Sequence, residues 1–331
     1  MAAREALESA GLAGRTAERS VEVGVVLAAT TGGMYNAEEG FRRSLLGLAP
    51  ARRTAMLAMP VSASGDLLAN LFGCHGPRLT VSTACSSGAN ALGIAADWIR
   101  SRRAAAVLCG GTDSLCRMTF SGSSALQALD TVPCRPFDRR RHGLSLGEGA
   151  ALFVFEDREH ARARGATILA EFLGYGISAD AYHITQPRPD GAGALLAMQR
   201  ALQEAGVAPE QVDYVNAHGT ATPLNDVLET QAIKALCGPR AYRIPVSSTK
   251  SMIGHCLAAA GAIEALACVL ALRGGFVPAT ATLEEPDPEC DLDYVARVSR
   301  PHAVRTVLSN SYGFGGNNTA IVLRKALEAE S

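Results

Sequence analysis

The sequence predicts an α/β protein whose two halves share one order of elements. Three observations lead there. Apolar, β-rich runs recur along the chain, and each ends in a short turn rich in Gly, Thr or Ser. Helical segments fill the intervals, so strands alternate with helices. Finally, 331 residues with 48% hydrophobic and only 5% aromatic side chains, and with 33 glycines, describe a large, closely packed core.

In the first half, Val21 to Ala29 is a strand run ending in Thr-Thr-Gly-Gly. Arg78 to Thr83 is a second, ending at Ala84-Cys85. Ala104 to Gly110 and Ala150 to Phe155 are the third and fourth, and Gly88 to Arg100 is the clearest helix. In the second half, Thr167 to Gly174 reads as a strand and Gly193 to Ala205 as a helix closed by Gly206. Strands at Val212 to Ala217, Ile244 to Ser248 and Thr306 to Asn310 follow, with a helix at Gly261 to Leu272. The halves divide at residues 1–164 and 165–331. Glu284 to Cys290, with two prolines, reads as a surface loop.

Composition narrows the function classes. A formal net charge of -1 leaves no electrostatic footprint for nucleic acid or membrane lipid. Nine cysteines without a C-x-x-C pair argue against a disulfide framework and for a reducing cytoplasm. Met1 to Leu12 reads as an amphipathic helix, because Glu5 and Glu8 interrupt its apolar residues. The longest apolar run, Cys256 to Leu272, is broken by Gly261 and Glu264 and is not expected to span a membrane.

Four motifs carry chemistry. Thr83-Ala84-Cys85-Ser86-Ser87-Gly88 places a cysteine between a strand and a helix N-terminus, where the helix dipole favours a thiolate; a buried structural cysteine is the plainer reading. Asn216-Ala217-His218-Gly219-Thr220-Ala221-Thr222-Pro223 puts a histidine at a strand end, where a satisfied core histidine is the common alternative. Ser248-Thr249-Lys250-Ser251-Met252-Ile253-Gly254-His255 precedes an apolar helix carrying Glu264, and a charge there is costly unless paired. Lys250 with Glu264 is a plausible buried pair; an exposed lysine and a solvent-facing glutamate are the alternative. Asn310 to Asn318, with Gly313, Gly315 and Gly316, lets backbone N–H groups approach a ligand or simply forms a turn.

Taken together and in this order, the four motifs resemble the beta-ketoacyl synthases of the thiolase superfamily, nearest to the synthase I and II branch. The resemblance runs from about residue 2 to residue 325 and takes in Arg135-Pro136-Phe137-Asp138, Gly143 to Gly149 and Asp180-Ala181-Tyr182-His183. Synthase III enzymes carry asparagine where this chain has His255, thiolases carry a second cysteine where it has Phe314, and chain-length-factor subunits lack the nucleophile. The resemblance implies a thiolase-like fold of two similar halves, layered α-β-α-β-α. It implies that Cys85 is acylated from acyl carrier protein, that His218 and His255 stabilise the enolate of a decarboxylating malonyl thioester, and that the N–H groups of Cys85 and Phe314 form an oxyanion hole. Thr220 and Thr222 would bind the phosphopantetheine arm, Lys250 and Glu264 would organise the site, and Ser123 would widen an acyl pocket that relatives often narrow with an aromatic residue. Arg52 and Arg53 would help dock the carrier. No metal or dissociable cofactor is implied. The implied partners are the carrier and a second subunit, in a homodimer or a heterodimer with a full-length synthase.

The resemblance also implies a departure. Relatives begin with a strand of the type Val-Val-Val-Thr-Gly-Leu-Gly, for which the first half has no counterpart. That strand is expected at the centre of the first sheet, between Val21 to Ala29 and Ala104 to Gly110. An active condensing enzyme is therefore weighed against a truncated, non-catalytic partner subunit and against an acyltransferase or decarboxylase on the same fold.

Overall fold

The computed structural model describes residues 1–14, 22–50 and 53–326, with only the backbone of Arg53. Two sheets organise it. The first contains β1 (Val23–Ala28), β2 (Arg78–Val81), β3 (Ala106–Asp113) and β4 (Gly149–Glu156), in the order β2-β1-β3-β4. The second contains β5 (Ala170–Ala179), β6 (Tyr214–Asn216) and β7 (Val246–Ser247). After a small ribbon of β8 (Phe276–Val277) and β9 (Arg300–Pro301), it is completed by β10 (Thr306–Gly313) and β11 (Asn317–Lys325), in the order β5-β11-β10-β6-β7.

Strand composition explains the layering. All six residues of β1 are buried, as expected of a strand covered on both faces. Its side chains alternate: Val23, Val25 and Leu27 pack with the N-terminal helix Ala2–Ser9, whereas Val26 and Ala28 face the helices Ser87–Arg100 and Ala260–Gly274. Those two helices also meet Val307, Ile321 and Leu323 of the second sheet, whose other face packs on Ala192–Ala205 and Pro223–Cys237. The result is the five-layered α-β-α-β-α arrangement of a thiolase-like fold. The central helices touch backbone to backbone. A Cβ on Gly88 would lie 2.7 Å from the Ala262 nitrogen, and one on Gly261 would lie 2.7 Å from the Ala89 nitrogen.

Pairing types match across the halves. β1 lies parallel to both β2 and β3, as β6 does to β7 and β10; β3 lies antiparallel to β4, as β10 does to β11. Among the described residues, only β5 lacks a counterpart. This corrects the placement of the absent strand. β1 and β3 pair directly, from Val23 with Ala106 to Ala28 with Gly111, so nothing is missing between them. β5 is an edge strand bonded to β11, and the equivalent place in the first half is the outer edge of β4.

Two smaller expectations, both strand bounds, also change. β5 begins later than expected and runs on to Ala179, and β10 continues to Gly313, so the last glycine motif is a hairpin turn into β11. Glu284 to Cys290 is a surface loop, as expected, with Glu284, Pro286, Pro288 and Glu289 exposed, but it is anchored at both ends. Asp138 accepts the N–H groups of Glu284 and Glu285 at 2.9 and 2.8 Å, and Cys290 is fully buried. The stretch Leu257–Gly274 is long and apolar enough to cross a membrane by composition, yet 61% of it is buried among the central helices and sheets. It is a core helix.

Candidate active site

The four motifs converge where the strands of the two halves end. Cys85 follows β2 and immediately precedes the helix Ser87–Arg100. Ala84 has φ 52, so the chain makes a sharp turn into the nucleophile position. Ser86 and Ser87 tie that turn together: Ser87 Oγ accepts the Thr83 N–H at 2.7 Å, and the Ser86 hydroxyl donates to the Thr83 carbonyl at 2.9 Å. The end of β10 presses against it. A Cβ on Gly313 would sit 2.8 Å from the Thr83 carbonyl oxygen and 3.1 Å from the Cys85 nitrogen, so glycine is required for this approach.

Cys85 is partly exposed, while the other eight cysteines are buried. The dense surroundings of its sulfur push the thiol up to about 11, against the attraction of the Lys250 ammonium and hydrogen bonds from the backbone N–H groups of Phe314 and Cys85. The backbone N–H groups do favour the thiolate, as expected, but burial outweighs them in the net shift. The two N–H groups that reach the sulfur are those implied for the oxyanion hole.

His218 follows β6 and His255 follows the short helix Lys250–Ile253. Both are buried, and their rings stand nearly perpendicular with centroids 5.5 Å apart. Lys250 Nζ lies 3.2 Å from His218 Nδ1 and donates to the His218 carbonyl at 2.6 Å. An ammonium can only donate, so Nδ1 is the acceptor and the His218 proton resides on Nε2. His255 Nδ1 accepts the Leu257 N–H at 3.1 Å, which places its proton on Nε2 as well. Burial first, and the Lys250 charge second, hold both imidazoles well below their ordinary value. The site therefore presents two neutral Nε2–H donors.

Lys250 and Glu264 form the buried ion pair that the sequence suggested; each side chain is 1% exposed. Thr220 and Thr222 are joined through their hydroxyls at 2.9 Å. Ser123 sits half-buried in the helix Arg117–Ala125, apart from this hydrogen-bonded cluster. Arg52 and the Arg53 side chain lie outside the described residues.

Two supporting acids were not singled out from sequence. Glu229, in the helix Pro223–Cys237, accepts the N–H groups of His218 and Gly219 at 2.8 and 2.9 Å and the Asn310 amide at 3.1 Å. Burial pushes its carboxyl up to about 7. Asp113, at the end of β3, accepts the N–H groups of Thr31 and Ala258, both at 2.9 Å, and so links the two halves. The only sequence signal for Glu229 was an acid in an otherwise mixed helix eleven residues beyond His218.

The chain matches family models over most of its length: the beta-ketoacyl synthase N-terminal domain over residues 1–161 and the C-terminal domain over 169–284. This chain belongs to the beta-ketoacyl synthase family. It is 45% identical to the 3-oxoacyl-[acyl-carrier-protein] synthase 2 of Synechocystis sp., over 92% of this chain and 75% of that relative. Among solved structures it resembles the ishigamide ketosynthase/chain length factor, with a TM-score of 0.89 and 35% identity over 93% of this chain and 76% of that one. It also resembles a type II PKS ketosynthase bound to its acyl-carrier protein and a hexaketide, with a TM-score of 0.88 and 32% identity over 99% of this chain and 86% of that one.

Proposed function

We propose that this beta-ketoacyl synthase condenses an acyl group held on Cys85 with a malonyl group delivered by acyl carrier protein. The observation that carries the reading is the pair of neutral imidazoles with both Nδ1 atoms occupied and both Nε2–H groups left as donors. A developing enolate oxygen needs such donors, and protonated imidazoles would not survive beside the Lys250 ammonium.

In the first half-reaction the Cys85 sulfur attacks the acyl thioester of the carrier. The N–H groups of Cys85 and Phe314 hold the tetrahedral oxyanion, and the carrier thiol leaves with the proton lost by Cys85. In the second, malonyl carrier loses carbon dioxide. The electrons of the broken C–C bond form an enolate whose oxygen accepts hydrogen bonds from His218 and His255. Its α-carbon attacks the Cys85 thioester, the C–S bond breaks, and the released Cys85 thiolate takes up a proton. Lys250 fixes the His218 tautomer and raises the local positive potential, while Glu264 balances that charge. Thr220 and Thr222 are positioned to bind the pantetheine arm, and Ser123 widens the acyl pocket. Arg52 and Arg53 contribute to carrier docking. No dissociable cofactor enters these steps.

The same reading includes a cytoplasmic enzyme that pairs through β2, either with a second copy or with a related ketosynthase-type subunit. The outer edge of β2 is unpaired among the described residues, and Leu67, Leu71 and Leu79 are exposed beside it. The test of the central claim is acylation by acyl carrier protein substrate followed by peptide mass mapping. An acyl adduct on Cys85 is expected; an adduct on another cysteine, with Cys85 unmodified, would remove it as the nucleophile. Sustained carbon dioxide release without ketoacyl product would favour a decarboxylase, and absence of all three activities a non-catalytic subunit.

A further inference from the structure

Arg141 lies outside the four motifs, yet its side chain is only 5% exposed. It stands between the turn that carries Thr220 and Thr222 and the loop Glu284 to Cys290. Nη2 donates to the Pro223 carbonyl at 3.1 Å and Nε to the Thr222 carbonyl at 3.4 Å. Nη1 donates to the Asp138 carbonyl at 3.0 Å and is ion-paired with Asp287. Nε also lies 3.8 Å from the fully buried carboxylate of Asp226.

These contacts gather behind one strained turn. Ala221 has φ 65, a left-handed conformation that a residue with a Cβ keeps only when its surroundings hold it there. Its N–H donates to Asp226 at 3.2 Å. Phe137 also has φ 65, and its N–H donates to the same carboxylate at 2.8 Å. Asp226 thus joins two left-handed turns, and a buried carboxylate is tolerated as an anion only beside a cation. Among the described residues, Arg141 is the basic side chain paired with it. Thr220 and Thr222 flank Ala221 with their hydroxyls 2.9 Å apart, so the conformation of Ala221 sets where both hydroxyls point.

We propose that Arg141 is a positioning residue for the reaction: it fixes the Thr220–Thr222 turn, so that both hydroxyls are preset to hydrogen-bond the amides of the pantetheine arm. The inference rests on the assignment of those threonines to the arm. Arg141 acts through the Thr222 and Pro223 carbonyls and through Asp226, not on the substrate. A planar fork can hold two successive carbonyls and still pair with carboxylates on both flanks. An ammonium is a point charge that reaches only part of that set.

The test measures self-acylation of Cys85 by two thioesters of one fatty acid, an acyl-pantetheine and an S-ethyl thioester, which has no amide. Arg141→Lys keeps the charge and loses the fork. It is expected to raise the half-saturating concentration of acyl-pantetheine about tenfold, roughly the worth of one hydrogen bond. The maximal rate should change little, and the rate with the S-ethyl thioester should stay as in the wild type. Asp287→Asn is the structural control. It removes an ion pair of Arg141 but no carbonyl contact, and it should keep wild-type half-saturation even where its melting temperature falls. Should Arg141→Lys not fold, Arg141→Gln is combined with Asp226→Asn and compared with Asp226→Asn alone, and the same tenfold rise is expected between those two.

Unchanged half-saturation by acyl-pantetheine, an equal loss with both thioesters, or an equal effect of Asp287→Asn would overturn the proposal. Thr220→Val combined with Thr222→Val separates it from the reading beneath it. A rise in that variant without one in Arg141→Lys removes Arg141 alone. No rise in the threonine variant removes the threonines from the arm, and this role of Arg141 with them. Labelling of Cys85 by the S-ethyl thioester is scored separately, so either failure leaves the assignment of the nucleophile untouched.

Discussion

Lys250 Nζ stands 3.2 Å from His218 Nδ1 while it is ion-paired with Glu264. One cation therefore fixes a tautomer, opposes protonation of two histidines and stabilises the anion of Cys85. Stability and catalysis share this residue, and they can be separated. Lys250→Met leaves Glu264 buried without its partner and should cost about 3–5 kcal/mol. Adding Glu264→Leu should recover most of that stability, read by denaturant unfolding. Malonyl decarboxylation should stay low in the double variant, because the His218 tautomer is no longer held. Full recovery of decarboxylation would show that the pair serves the fold alone.

His218→Ala or His255→Ala should lower decarboxylation by roughly 10²–10³-fold, the usual cost of an oxyanion-type donor, and leave self-acylation of Cys85 largely intact. Because both imidazoles are held well below 6.5, the decarboxylation rate should stay level as pH falls through 6.5. The stability consequence has the same direction. In the unfolded chain these histidines bind protons near 6.5, so their contribution is complete above that value and is lost as pH falls toward the folded values. A rate that halves near 6.5 would contradict neutral donors held in this way.

Cys85 should alkylate selectively, since the other eight cysteines are buried. With the thiol pushed up to about 11, the thiolate fraction is small at neutral pH. Iodoacetamide reactivity should rise roughly tenfold per pH unit from neutral to about pH 10. A plateau near neutrality would mean that a thiolate is already formed in the resting enzyme.

Glu229 holds the turn that carries His218. Its carboxyl is raised to about 7, so its contribution to stability is present below its unfolded value of 4.5 and is lost as pH rises through about 7. Glu229→Gln does not titrate. The wild-type protein should therefore lose stability relative to this variant, by roughly 1 kcal/mol per pH unit as pH rises from 4.5 to about 7, and the difference should level off above that. The variant should also lose decarboxylation, because an amide offers only one oxygen to the N–H groups of His218 and Gly219. Identical pH dependence of the two melting temperatures would remove Glu229 as the titrating group.

The chain alone was enough to read the alternation of strands and helices, the turn before Cys85, the strand-end position of His218 and the pairing of Lys250 with Glu264. Those features rest on local rules: period-two burial in β1, small residues at a tight turn, and the cost of an unpaired charge on an apolar helix. The tertiary structure decided what depends on contacts between distant residues. Glu229 became a site residue only when the helix Pro223–Cys237 brought its carboxylate under the His218 turn. The net shift of the Cys85 thiol was not legible, because a helix N-terminus is visible in sequence and the protein packed around the sulfur is not. The expectation of a strand between β1 and β3 failed for the same reason. Strand order follows from which apolar faces and backbone edges meet in three dimensions, and only the pairing of Val23 with Ala106 shows that no strand lies between β1 and β3.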